Sequence, residues 1–270
     1  MIKIYKTGME LYEENKAFLD TNKYLSCFFA LDAPLLVKTD KINYALKVED
    51  DGDVLLVLKV EPYDMLLFGT ETLAEELLGF LMDNDYEIKE LLGSETVCNK
   101  MAEIMRRNYG MEYYEALAMD FMEAKEKTEV SYEGTEIPTA ADLDEILECA
   151  RQFVIDCNLN DEVNAQKLQE SLGDYRIIRE DGKIVSMAKI TPATDEAKKI
   201  AWVYTRPEYR GKGFARKVVA TTMNEILDMG KIATLNVDQK NPVSYHLYLS
   251  LGFQKVFAQS EYRRKSEMAE

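Results

Sequence analysis

The sequence predicts an α/β (α+β) protein of two domains, each a mixed, mostly antiparallel sheet flanked by helices. Three observations carry this expectation. An Asp-Gly turn between apolar runs marks a β-hairpin in each half, at Asp51-Gly52 and again at Asp181-Gly182. Segments with apolar residues three and four apart mark helices between the strand-like runs. The chain has 270 residues, 47% of them hydrophobic, enough for a full core in each half.

In chain order, residues 10–30 mix Tyr, Phe, Leu and charge in a helical rhythm. Residues 42–48 and 54–60 read as the first hairpin, and 65–68 as a short apolar strand. Thr70 and Thr72 are candidate caps for a helix with Leu73, Leu77, Phe80 and Leu81 on its inner face. Ser94 opens a further helix that runs to Asn108, before Gly110, and 111–122 reads as a strand. Residues 123–136 are charged and poor in apolar side chains, which predicts a linker. The rhythm then restarts with helices over 142–157 and about 162–172. A hairpin over 175–180 and 183–190 follows, then a strand over 200–205 and a helix over 213–229. A strand over 232–237, a helix over 242–251 and a strand from Phe253 onward complete the chain. The predicted domains are 1–125 and 126–270. Both halves share one order of elements and almost no sequence, which fits a structural duplication or two unrelated α/β domains.

Composition excludes several classes of function. Lysine and arginine total 33 against 49 acidic residues, a formal charge of −16, the reverse of a nucleic-acid footprint. An acidic shell attracts cationic substrates or serves solubility alone. Cys27, Cys98, Cys149 and Cys157 form no C-x-x-C pair and suit no zinc site, so no metal is expected. Reduced thiols in a cytoplasmic protein account for them. Residues 1–16 lack the apolar stretch of a signal peptide, and no run of about eighteen apolar residues predicts a membrane span.

The segment richest in chemistry is Val203-Tyr204-Thr205-Arg206-Pro207-Glu208-Tyr209-Arg210-Gly211-Lys212-Gly213-Phe214-Ala215. An apolar strand stops at Pro207, a basic glycine-rich turn follows, and a helix starts. Gly211 and Gly213 let the backbone turn tightly and approach a ligand. The unpaired N–H groups of the helix start, with its dipole, make an anion site, to which Arg210 and Lys212 add charge. These are the physical requirements for holding a pyrophosphate; an ordinary basic turn capping a helix is the plainer alternative.

Arg210-x-x-Gly213-x-Ala215 resembles the R/Q-x-x-G-x-G/A signature of the GNAT acetyltransferase superfamily. Downstream, Asn241 through Phe253 resembles that family's N-x-x-A/S-x-x-L-Y-x-x-L-G-F element. The resemblance covers about residues 134–264, and it implies acetyl-coenzyme A as cosubstrate. By position it implies that the backbone of Val203, Tyr204 and Thr205 pairs with the pantetheine arm. The amides of Arg210, Gly211, Lys212, Gly213, Phe214 and Ala215 would hold the pyrophosphate. Asn241 would bond the pantetheine or the turn beside it. Tyr248 would protonate the departing sulfur, or else be an aromatic core residue packed against Phe253. Backbone amides near Val203–Tyr204, where family members carry a bulge, would stabilise the oxyanion. No carboxylate lies on the strand itself. Asp195 and Glu196 lie just before it, and His246, the only histidine, is assigned a structural role.

The expected activity is transfer of an acetyl group to a primary amine of a small molecule or peptide, by direct attack. The alternative is a non-catalytic sensor of acyl-coenzyme A. At the corresponding strand-to-helix junction the first half reads Leu67-Phe68-Gly69-Thr70-Glu71-Thr72. Glu71, Glu75 and Glu76 there would repel a phosphate, so the first half is expected to be a GNAT-like or substrate-shaping domain without a coenzyme A motif. Neither nucleic acid nor membrane is an expected partner, and the oligomeric state is open.

Overall fold

The computed structural model describes residues 1–129, 134–157 and 162–265. The chain divides into two compact units. The first is Met1–Asp120 with Asp238–Lys240 and Phe257–Glu270; the second is Phe121–Val237 with Asn241–Val256.

The first unit begins with strand β1 (Ile2–Ile4) and helices α1 (Gly8–Glu14), α2 (Lys16–Leu19) and α3 (Cys27–Asp32). Strands β2 (Tyr44–Asp50), β3 (Asp53–Lys59) and β4 (Met65–Gly69) follow, then α4 (Ala74–Asp83), β5 (Leu91–Ser94), α5 (Glu95–Tyr109) and β6 (Tyr113–Ala124). The β2–β3 hairpin turns on two left-handed residues, Asp51 at φ 45° and Gly52 at φ 90°, the backbone that an Asp-Gly pair favours. The order β1-β2-β3-β4-β5 is antiparallel except for the parallel pair β4–β5.

The central strands are apolar on both faces. Leu55 and Val57 of β3, with Met65 and Leu67 of β4, pack against Leu77, Leu81, Met101 and Ile104 of α4 and α5. The alternate residues Leu56, Leu58, Leu66 and Phe68 pack against Leu11, Leu19 and Phe29 from the helices before β2. Each fully buried aliphatic side chain contributes about 1.5–3 kcal/mol, so the period-two alternation fixes a sheet between two helical layers.

The second unit repeats this order with β7 (Thr135–Glu136), α6 (Leu143–Asp156), α7 (Ala165–Glu170), β8 (Tyr175–Glu180), β9 (Lys183–Pro192) and β10 (Ala197–Thr205). Helix α8 (Phe214–Asp228), β11 (Ile232–Asp238) and α9 (Pro242–Ser250) follow, and β12 (Gln254–Arg264) starts in this unit and continues in the first. Its strand order is β11-β10-β9-β8-β7, with β10 and β11 parallel. Ile146, Leu147 and Cys149 of α6 cover one face with Ile177, Ile184 and Met187. Val218, Val219 and Met223 of α8 cover the other with Val185, Ile200 and Leu235. Burial pushes the thiols of Cys149 and Cys98 up to about 11 and about 12, so both stay protonated at neutral pH.

Sequence and structure differ in several places. The short strands β1, β5 and β7 were not expected. Within the expected linker 123–136, β6 runs on to Ala124 and β7 starts at Thr135, and residues 130–133 lie outside the described residues. Thr128 is bonded through its backbone N–H and C=O to the Asn224 side chain on α8, at 3.1 and 2.9 Å. The last strand pairs Gln259–Tyr262 with Leu91–Ser94 of β5, within the first unit. Among the described residues no helix is long and apolar enough to cross a membrane.

Gly69 ends β4 at φ 139°, and a Cβ there would lie 2.0 Å from the Val54 carbonyl oxygen. Gly69→Ala should therefore lower the unfolding free energy by about 2 kcal/mol or more, measured by urea denaturation of the full chain.

Candidate active site

Strand β10 positions the site by leaving one neighbour. It pairs with β11 only over Ala197–Lys199, opposite Ile232–Thr234, and then runs six residues further with β9 alone. Its register with β9 shifts between Ala201 and Tyr204, where Trp202 stands at φ 54°. A left-handed tryptophan is a strained bulge. It is held by packing, with the indole 5.2 Å from the Phe153 ring. Val203 packs against the α8 core, Tyr204 is buried against the α6 core, and the Thr205 hydroxyl meets that of Ser186 at 2.9 Å.

The chain leaves β10 through Arg206, which is 7% exposed. Its backbone N–H donates to Val185 O at 2.9 Å and its Nε to Ile184 O at 2.7 Å. Its guanidinium reaches Glu148 at 2.8 Å and Glu145 at 3.5 Å. The hydrogen bond to Glu148 raises the arginine pKa above its ordinary value and lowers that of Glu148. This anchor fixes where the following turn begins. A single 3-10 turn, Pro207–Tyr209, leads to Arg210.

Arg210 faces back toward the protein. Its Nε donates to Thr205 O at 3.0 Å, its guanidinium pairs with Asp156 at 2.5 Å, and its own amide donates to Pro207 O at 3.2 Å. Gly211 and Gly213 are left-handed at φ 75° and 86°, and a Cβ on either would meet open space. Gly213 is the N-cap of α8 and supplies no side-chain cap. Among the described residues, the amides of 211–215 have no hydrogen-bond partner. The open donors thus begin at Gly211, one residue after Arg210. The Lys212 ammonium lies 4.8 Å from the Tyr209 ring, and Phe214, almost buried, seats the helix start in the core. At the other end, Arg176 holds α8 to β8 through Glu225 at 2.6 Å.

Asn241 caps α9, its side-chain oxygen accepting from Ser244 N at 3.0 Å. Tyr248, on the buried face of α9, is 6% exposed and meets the Phe253 ring edge-on at 6.0 Å. Burial, with a smaller contribution from Cys157, raises its hydroxyl pKa well above the ordinary value of about 10. His246 is exposed, its Nδ1 2.6 Å from the Pro242 carbonyl one turn back. Asp195 and Glu196 lie in the bend just before β10, and their carbonyls accept from Lys231 Nζ and Ile232 N.

One residue escaped sequence reasoning. Asn236 on β11 lies two residues past the last pairing with β10, and its Oδ1 is buried without a partner among the described residues. The available signal was a lone amide in an otherwise apolar stretch, Leu235-Asn236-Val237. An orphaned acceptor costs stability unless a ligand satisfies it. Asn236→Leu should thus raise the unfolding free energy by about 1 kcal/mol; a comparable loss in urea denaturation would mean that Oδ1 has a partner.

Open amides at an uncapped helix start, glycines without crowding and a nearby lysine fit the pyrophosphate of a coenzyme A thioester. Comparison with known proteins bears on the same segment. Residues 140–253 match the profile of the Acetyltransferase (GNAT) family. A GCN5-related N-acetyltransferase from Sphaerobacter thermophilus shares the fold at TM-score 0.64 and 13% identity, over 98% of this chain and 95% of its own. A GNAT-family acetyltransferase from Colwellia psychrerythraea does so at TM-score 0.61 and 12% identity, over 98% and 99%. In sequence, 52 residues are 38% identical to L-amino acid N-acyltransferase MnaT of Escherichia coli (strain K12). That match spans 19% of this chain and 30% of the relative's length. Residues 140–253 of this chain thus form a domain of the GNAT acetyltransferase family.

Proposed function

We propose that the chain is an N-acetyltransferase that moves the acetyl group of acetyl-coenzyme A to a primary amine of a small molecule or peptide. The observation that carries this reading is the row of open amides at 211–215 behind two left-handed glycines. The family match and the name of the E. coli relative, an L-amino acid N-acyltransferase, support an amine acceptor.

In this reading the amides of residues 211–215 hold the pyrophosphate, and the unpaired edge of β10 from Val203 to Thr205 takes the pantetheine arm as an added strand. Arg210 acts by fixing the turn, since its guanidinium is engaged by Asp156 and Thr205. Asn241 fixes the start of α9. The amine nitrogen attacks the thioester carbonyl carbon, and amides at the Trp202 bulge stabilise the charge that develops on oxygen. As the carbon–sulfur bond breaks, its electron pair stays on sulfur, which takes the Tyr248 proton. The proton shed by the amine passes to solvent, and solvent reprotonates Tyr248. A hydroxyl with a raised pKa keeps its proton at neutral pH, as a general acid must. An amine that arrives neutral needs no base on the protein.

A second reading, an acyl-coenzyme A sensor, draws on the packing of Tyr248 against Phe253 in the core. Tyr248→Phe separates the two. Transfer predicts unchanged coenzyme A affinity and an acetylation rate lower by about 100-fold, the modest end of general acid catalysis. A packing role predicts a lower melting temperature and weaker binding instead. Steady-state kinetics with thermal melts on both proteins reads the difference; equal turnover removes Tyr248 from the mechanism.

A further inference from the structure

The first unit holds a cavity of about 540 Å³, within the range typical of small-molecule sites. Phe28, Leu31 and Leu35 from α3 and the turn after it form one wall, and Tyr63, Leu66 and Leu92 another. Leu31, Leu35 and Tyr63 stand exposed, whereas Leu66 is buried. Two carboxylates interrupt this apolar lining, Asp32 at the end of α3 and Asp64 just before β4.

Neither carboxylate forms an ion pair among the described residues. The cations nearest Asp64 are engaged elsewhere: Arg263 with Glu261 at 2.6 Å and Lys59 with Glu61 at 2.9 Å. Burial, then repulsion from Glu261 and Glu90, outweighs the attraction of Arg263 and Lys59 and pushes Asp64 up to about 6, and burial raises Asp32 as well. A carboxylate held in apolar surroundings without a counterion is costly until a cation arrives.

We propose that this cavity is a binding site for an organic ammonium ion with an apolar aliphatic or aromatic body, its charge seated against Asp64, with Asp32 a second carboxylate in the lining. The ammonium supplies the missing counterion, and the body covers the apolar walls. An anion would meet two like charges, and a neutral apolar ligand would leave both carboxylates buried without a partner. The site shares no residue with the turn between β10 and α8, so the inference is independent of acyl transfer.

The test is calorimetric titration of the full chain with hexylammonium and 2-phenylethylammonium chloride, against 1-hexanol and 2-phenylethanol of matching shape. Saturable binding of at least one ammonium ion is expected, tighter than its alcohol. The double variant Asp32→Asn, Asp64→Asn should weaken it about tenfold or more. Leu35→Arg, at an exposed position, should weaken it too, because it brings a competing cation to the rim without disturbing the core. The proposal is overturned by an absence of saturable binding with either ammonium ion, by alcohols that bind as tightly, or by unchanged affinity in both variants.

Discussion

The second unit turns on one constraint: the chain must pass from the unpaired end of β10 into α8 with the first helical amides left open. Two left-handed residues make that passage, Gly211 at φ 75° and Gly213 at φ 86°. A side chain at either position strains the backbone, and a capping side chain at 213 would consume a donor. Everything nearby holds this turn in place. Arg206 is bonded to Ile184 and Glu148, Arg210 to Thr205 and Asp156, and Phe214 is seated in the core. Arg210, whose charge the sequence assigns to the anion site, is thus spent on shaping the turn's backbone, as is Arg206. The proposed anion site depends on N–H groups and a helix dipole, with Lys212 as the added charge.

The first unit shows what happens when the same junction is built otherwise. It has the same element order and the same parallel pair, β4 with β5. Yet the Thr70 hydroxyl caps the 3-10 turn Glu71–Leu73 that leads into α4, and Glu71, Glu75 and Glu76 occupy the opening turns. Gly69 is pressed against Val54, so its backbone approaches protein where Gly211 and Gly213 face open space. Carboxylates in the opening turns disfavour an anion at this helix end. What the first unit offers is of opposite character, an apolar cavity lined by two carboxylates, Asp32 and Asp64.

Features set by neighbours in sequence were legible before the structure. The hairpins at Asp51-Gly52 and Asp181-Gly182 follow from residues that tolerate positive φ. The helices over Glu95–Tyr109 and Phe214–Asp228 follow from periodic apolar positions and a glycine beyond each. Strands β5 and β7 were not legible, because four and two residues carry no periodic signal. Nor was the partner of β12, since the sequence does not reveal that Gln259–Tyr262 joins β5. In the candidate site the glycine turn was legible and its supports were not. Asp156 lies 54 positions before Arg210, and Trp202 adopts a backbone its residue type disfavours. Asn236 acquires meaning only once β10 and β11 are seen to part.

The central claim is that the backbone at 211–215 recognises a pyrophosphate. Calorimetric titration of the protein and its Gly213→Val variant, with coenzyme A and with pantetheine, tests it most directly. Pantetheine lacks the pyrophosphate and retains the thiol arm. The account predicts that the variant loses about 100-fold or more in affinity for coenzyme A, the worth of two charge-assisted hydrogen bonds, while pantetheine binding is unchanged. Equal coenzyme A affinity in the two proteins, both folded, would contradict it.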